Sequence, residues 1–122
     1  MTRTHKTLSY TTIFFVSLIA ITWLALTPHS PRILEQGIDD KLQHVTAFGW
    51  LMLLANCSFP RASAHLSALA LLGYGILIEV AQYFIPQRTA SASDILADLA
   101  GIGIALLLLR YARAPADCPP PT

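Results

Sequence analysis

Four apolar stretches, parted by short polar segments, set the pattern of this chain. The first, "LSYTTIFFVSLIAITWLALT" (residues 8–27), carries no charge. As a helix rising about 1.5 Å per residue it is long enough to cross a hydrocarbon core about 30 Å thick. The second, "LQHVTAFGWLMLLANCSF" (42–59), begins polar and turns apolar. The third, "LSALALLGYGILIEVAQYFI" (66–85), holds Glu79 and Gln82 toward its end. The fourth, "ILADLAGIGIALLLLRY" (95–111), is short unless Ser93 and Asp94 enter the interfacial zone. Between the runs, "PHSPRILEQGIDDK", "PRASAH" and "PQRTASAS" each begin with a helix-breaking proline. Apolar and polar residues never alternate with period two, which argues against a β-barrel. The pattern predicts an all-α integral membrane bundle of four transmembrane helices. That domain covers residues 8–111, between a stub at 1–7 and a proline-rich tail at 112–122 that is expected to be disordered.

Composition agrees. Of 122 residues, 54% are hydrophobic and 12% charged, with a mean hydropathy of +0.54. Soluble domains carry about 25% charged residues, so this chain lacks the polar groups to cover a water-facing surface, whereas a lipid-facing one needs none. The net charge of +1, with no block of like charge, excludes nucleic acid as an expected partner and leaves membrane lipids. Cys57 and Cys118 have no metal-type spacing and are read as unpaired thiols. Arg3 and Lys6 ahead of an apolar run suggest a signal peptide. The run exceeds the usual 7–15 residues and no small-x-small cleavage site follows, so it is read as a retained helix. Arg3, Lys6, Arg61, Arg110 and Arg113 fall on the side of the termini, and Arg32, Lys41 and Arg88 on the other. This bias places both termini in the cytoplasm of a multi-pass protein of the inner (plasma) membrane.

The ionisable groups then become informative. Asp40, Lys41 and His44 lie at the start of the second helix, and Glu79 and Gln82 toward the end of the third. Arg88 and Ser91 occupy the following loop, and Asp94 and Asp98 the first turns of the fourth helix. Because successive helices alternate in direction, all of these reach the same membrane side, the outer one in the orientation above. Asp40 and His44, like Asp94 and Asp98, are spaced i, i+4, and Glu79 and Gln82 i, i+3, so each pair shares a helix face. The face of Asp94 and Asp98 continues through Gly101 and Ala105, small residues that let helix backbones approach; Gly73 and Gly75 are expected to do the same on the third helix.

An acid at the bilayer centre costs about 2.5–3.5 kcal/mol even on insertion scales. Glu79, amid Ile76, Leu77, Ile78 and Val80, therefore needs an interface, a proton or a partner, with Arg88, His44 and Lys41 as candidates. Asp94 and Asp98 gain from the helix N-terminus, with Ser91 or Ser93 as N-cap. Proton transfer fits such a set. A divalent cation is disfavoured by the single histidine and the lack of a ligand motif, so no metal and no cofactor are expected. No GxSxG, P-loop or HExxH is present. Trp23 and Trp50 read as packing or belt residues.

The stretch "DKLQHVTAF" (40–48) followed by "IEVAQYFIPQRTASASDILADLAG" (78–101) resembles the VanZ-like family. Its pattern, D-K-x-x-H-x-x-x-[FY] then E-x-x-Q-x-x-x-P-x-R-x-x-S-x-x-D-x-x-A-N-x-x-G, is met by Asp40, Lys41, His44, Phe48, Glu79, Gln82, Pro86, Arg88, Ser91, Asp94, Ala97 and Gly101. One position departs: Asp98 stands where the family carries Asn. The resemblance implies a small membrane protein of about four helices, and its founding member is linked to low-level resistance to the glycopeptide teicoplanin. It brings no established catalytic activity. The expectation is a non-enzymatic protein whose outer polar pocket binds a cell-envelope ligand or a glycopeptide, with Glu79 and Arg88 paired, Asp40 and Asp94 orienting His44 and Lys41, and Gln82 and Ser91 adding hydrogen bonds. Its rivals are a membrane enzyme acting on a lipid head group with Glu79 as general acid or base, and a purely structural cluster.

Overall fold

The computed structural model describes residues 3–27, 38–85 and 91–112. They form four helices, α1 (Arg3–Leu26), α2 (Ile38–Ser58), α3 (Ala64–Tyr83) and α4 (Ala92–Ala112), with no strand among the described residues. Each helix overlaps one of the apolar stretches, but α1 starts at Arg3 and α2 at Ile38, so charged residues that flank the apolar runs are helical too. Ser63 caps α3 by accepting a hydrogen bond from the Leu66 amide at 3.1 Å.

The helices run up, down, up, down. The parallel pair α2 and α4 makes the most extensive helix–helix contact, and α1 lies against α2 and α3 at the edge. Small residues set the closeness of α2 and α4. A Cβ built on Gly101 would lie 2.3 Å from the Val45 carbonyl oxygen, and one on Gly49 would lie 3.3 Å from the Gly101 oxygen. The face expected to point inward on α4 does so: Asp94, Asp98 and Ala105 are 2%, 1% and 1% exposed. Gly73 departs from expectation, since a Cβ there would meet nothing within 4 Å, whereas Gly75 is tightly enclosed.

Leu51 and Met52 of α2 are fully buried, beside Phe48, Leu71, Ile102 and Ala105. Outside, Val16, Ile19, Trp23, Leu69, Leu77, Leu96 and Leu107 are among the exposed large apolar side chains. Apolar residues outward with buried Glu79, Asp94 and Asp98 is the distribution a lipid surround favours and water does not. By length and composition, α1, α3 and α4 are each able to cross a membrane, while α2 is not among these candidates. The first two turns of α2, with Asp39, Asp40, Lys41, Gln43 and His44, lower its hydropathy below that of the other three helices.

α1 buries Phe14 in the core, with Leu18 and Ile21 packed beside it, and polar side chains add to its hold. Trp50 donates to the Ser17 hydroxyl at 3.1 Å, the Thr22 and Tyr74 hydroxyls meet at 2.6 Å, and the Gln82 amide donates to the Ala25 carbonyl at 3.0 Å. Interhelical bonds of this kind are the usual glue of membrane bundles. Cys57, read from the sequence as an unpaired thiol, is disulfide-bonded, whereas Cys118 lies outside the described residues. The α-helical rise carries Cys57 to the end of α2 opposite Lys41 and His44.

Candidate polar site

Lys41 and His44 are one turn apart on α2, and Asp94 and Asp98 one turn apart on α4. Because the two helices run parallel at close range, the turns match and two cross-helix pairs form. The Lys41 ammonium bonds Asp94 Oδ1. His44 Nδ1 lies 2.7 Å from Asp98 Oδ1, and its Nε2 lies 4.0 Å from Asp94 Oδ2. The carboxylates are enclosed, with side chains 3% and 1% exposed, while Lys41 is 36% exposed and stands at the mouth of the cluster.

α3 supplies the third wall. Glu79, 5% exposed, accepts the Ser91 backbone N–H on Oε2 at 2.9 Å, and so ties the end of α3 to the start of α4. Ser91 in turn bonds the Ser93 hydroxyl at 2.6 Å, and its carbonyl receives the Asp94 amide at 3.0 Å, closing the first turn of α4. Beneath the acids lie Gly75 and Phe48. A Cβ on Gly75 would come within 2.6 Å of Asp98 Oδ2 and 3.2 Å of the Phe48 ring, so the glycine makes the room that the Asp98 carboxylate occupies. The Phe48 and Tyr74 rings stack at a tilt, 5.8 Å apart, as the apolar floor.

Of the residues singled out in the sequence, Lys41, His44, Glu79, Ser91, Asp94 and Asp98 are brought together. Gln82 is buried but turns its amide to α1 instead. Asp40 belongs to the first turn of α2, with its side chain outside the description, and Arg88 lies outside the described residues, so the expected Glu79–Arg88 pair is not addressed. The observed partner of Glu79 is a backbone amide, which no pattern of side-chain types announces. Gly49 and Phe48 also serve the site; Gly49 was not singled out in the sequence, while Phe48 was part of the motif.

Chemically, three carboxylates from two helices face one ammonium and one imidazole. With the acids ionised, the described cluster is net negative whether or not His44 carries a proton. Two buried oxygens, Glu79 Oε1 and Asp98 Oδ2, have no hydrogen-bond partner among the described residues. Such a set can take up a cation, hold a proton, or bind a ligand presenting hydrogen-bond donors.

A protein-family model described as VanZ/LLP1 matches residues 3–113, nearly the whole chain and all of the cluster. No curated protein and no solved structure matches it.

Proposed function

The chain belongs to the VanZ/LLP1 family, and from that premise we propose a multi-pass protein of the plasma membrane whose polar cluster binds a cell-envelope ligand at the outer face. The ligand is a lipid-linked or peptidoglycan-related molecule or a glycopeptide such as teicoplanin. α2 is the fourth span, central and shielded. The observation that carries the reading is the burial of Glu79, Asp94 and Asp98 together at one end of an otherwise apolar bundle, with His44 half-buried against them and Lys41 at the mouth. Ionisable groups at such depth are costly and mark functional sites by default.

The test is resistance in a glycopeptide-sensitive host expressing the wild type, Glu79→Gln or Lys41→Met at matched membrane levels. A rise in the minimum inhibitory concentration of teicoplanin that both variants lose supports the reading. No rise at verified expression removes the glycopeptide and leaves the lipid-linked ligands.

A second reading, a membrane enzyme acting on a lipid head group, has one observation in its favour. The Asp98 carboxylate against His44 Nδ1 orients the imidazole as a general base is oriented, close to Glu79. Glu79→Gln would then abolish turnover of a head-group substrate while folding and membrane level stay intact.

A further inference from the structure

One nitrogen of His44, one oxygen of Glu79 and one oxygen of Asp94 lie within 4.8 Å of one another, each contributed by a different helix. Around an ion bound at about 2.0–2.2 Å, ligand atoms stand roughly 3–4 Å apart, so side-chain adjustments of about an ångström would close the triplet. The three helices that carry these groups pack on one another, which fixes their mutual position better than any loop would.

Another observation points to the occupant. Glu79 uses Oε2 to accept the Ser91 amide and leaves Oε1, in a residue 5% exposed, with no hydrogen-bond partner among the described residues. A buried carboxylate oxygen left so is costly, and a cation is the species that would satisfy it. Behind His44, Asp98 Oδ1 sits 2.7 Å from Nδ1 and turns Nε2 toward Asp94 Oδ2. This is the carboxylate–imidazole arrangement that orients metal-ligating histidines. Lys41 engages Asp94 through Oδ1, which leaves Oδ2 as the ligating oxygen.

We propose that His44, Glu79 and Asp94 bind one divalent cation, with Asp98 as the positioning residue behind His44. One imidazole and two carboxylates suit Zn²⁺ or Mn²⁺ ahead of Ca²⁺ and Mg²⁺, whose sites are built from oxygen alone. The two carboxylates balance the ion's charge. The site shares residues with the envelope-ligand reading but does not rest on it, because the ion binds with no envelope ligand present.

The experiment is titration calorimetry of the full chain, purified in detergent, with any affinity tag removed and metals stripped by chelation, against Zn²⁺, Mn²⁺ and Mg²⁺. One saturable Zn²⁺ or Mn²⁺ site per chain is expected. Asp98→Asn weakens it about 10–100-fold, the usual effect of losing an outer-shell partner, and His44→Gln and Glu79→Gln weaken it at least as much. A His5→Gln/His65→Gln double variant, altered at the opposite end of the bundle, binds as the wild type does. Absence of saturable binding overturns the proposal, as does binding that survives His44→Gln but is lost when His5 and His65 are replaced. Should Glu79→Gln fail to fold, Co²⁺ bound to the wild type reports the ligand set by its visible absorption. Bands displaced from those of the hydrated ion, and lost in His44→Gln, support the site; bands unchanged from the hydrated ion overturn it. Resistance measurements do not enter, so failure here leaves the ligand reading standing and the converse also holds.

Discussion

Lys41 and Asp94 bring opposite charges to a place where Asp94, at 3% exposure, has almost no water to fall back on. Removing the ammonium leaves a buried carboxylate unpaired, a loss of about 3–5 kcal/mol, while removing both groups together leaves no such debt. Lys41→Met is therefore expected to destabilise by about that amount, Asp94→Leu by less because Lys41, 36% exposed, keeps water when its partner is gone, and the double variant by much less than the sum. Unfolding in mixed detergent micelles measures all three, and additivity to within about 0.5 kcal/mol would mean that the pair is not coupled. At this scale spacing fixes a helix face and alternating direction fixes one end of the bundle, where Lys41, His44, Glu79, Asp94 and Asp98 meet while Gln82 turns to α1. The sequence did not tell which residues pair. Spacing alone lets either Lys41 or His44 meet either Asp94 or Asp98, and only the rotation of α2 against α4 gives Lys41 to Asp94 and His44 Nδ1 to Asp98. Glu79 shows the same limit: its acid was conspicuous in an apolar run, but its partner is the Ser91 amide, whose position depends on how α4 begins.

That rotation is set by the elements, and above all by where α2 and α4 touch. Gly101 lets the Val45 carbonyl approach to a distance that any Cβ would forbid, and this contact brings Lys41 and His44 level with Asp94 and Asp98. Replacing Gly101 by Ala forces the helices apart, at a cost of about 1–3 kcal/mol for overpacking, and loosens the two pairs with it. Gly75 and Gly73 offer a cleaner contrast, two residues apart on one helix. Gly75→Ala drives a methyl into the Asp98 carboxylate and the Phe48 ring and should lower the melting temperature in detergent, whereas Gly73→Ala meets open space and should leave it level or raise it. Equal effects at the two sites would show that Gly75 is not packed as described. Small-residue spacing made Gly101 and Ala105 readable in advance, but it gave Gly73 and Gly75 equal weight, since a residue's spacing does not say whether a neighbour stands opposite. The seating of α1 was harder still to foresee. It depends on Ser17, Thr22 and Tyr74, whose hydroxyls look unremarkable in sequence and matter only because each meets a partner across the bundle.

For the molecule as a whole, orientation in the membrane decides what the cluster can meet, and two signals pull against each other. The sequence carries five Lys and Arg in the segments on the side of the termini against three in the others, a bias that favours the proposed cytoplasmic termini. Cys57, at the termini's end of α2, is disulfide-bonded, and disulfides persist on the oxidising side of a membrane. The charge signal acts during insertion, when topology is fixed, whereas a bridge between thiols forms afterwards and only where the compartment permits it. The proposed orientation therefore stands on the charges, and it predicts that Cys57 is a reduced thiol in the living cell, with the bridge closing on oxidation after lysis. Trapping intact cells with a membrane-permeant alkylating reagent, then comparing labelling with and without prior reduction, measures this. Labelling of Cys57 without reduction agrees with cytoplasmic termini. Labelling that requires reduction puts that end of the bundle outside and the cluster inside. A large polar antibiotic arriving from outside could not then reach Lys41 or Glu79, and the glycopeptide would fall away as ligand. The cation site would survive that outcome, because His44, Glu79 and Asp94 converge whichever face of the membrane they serve.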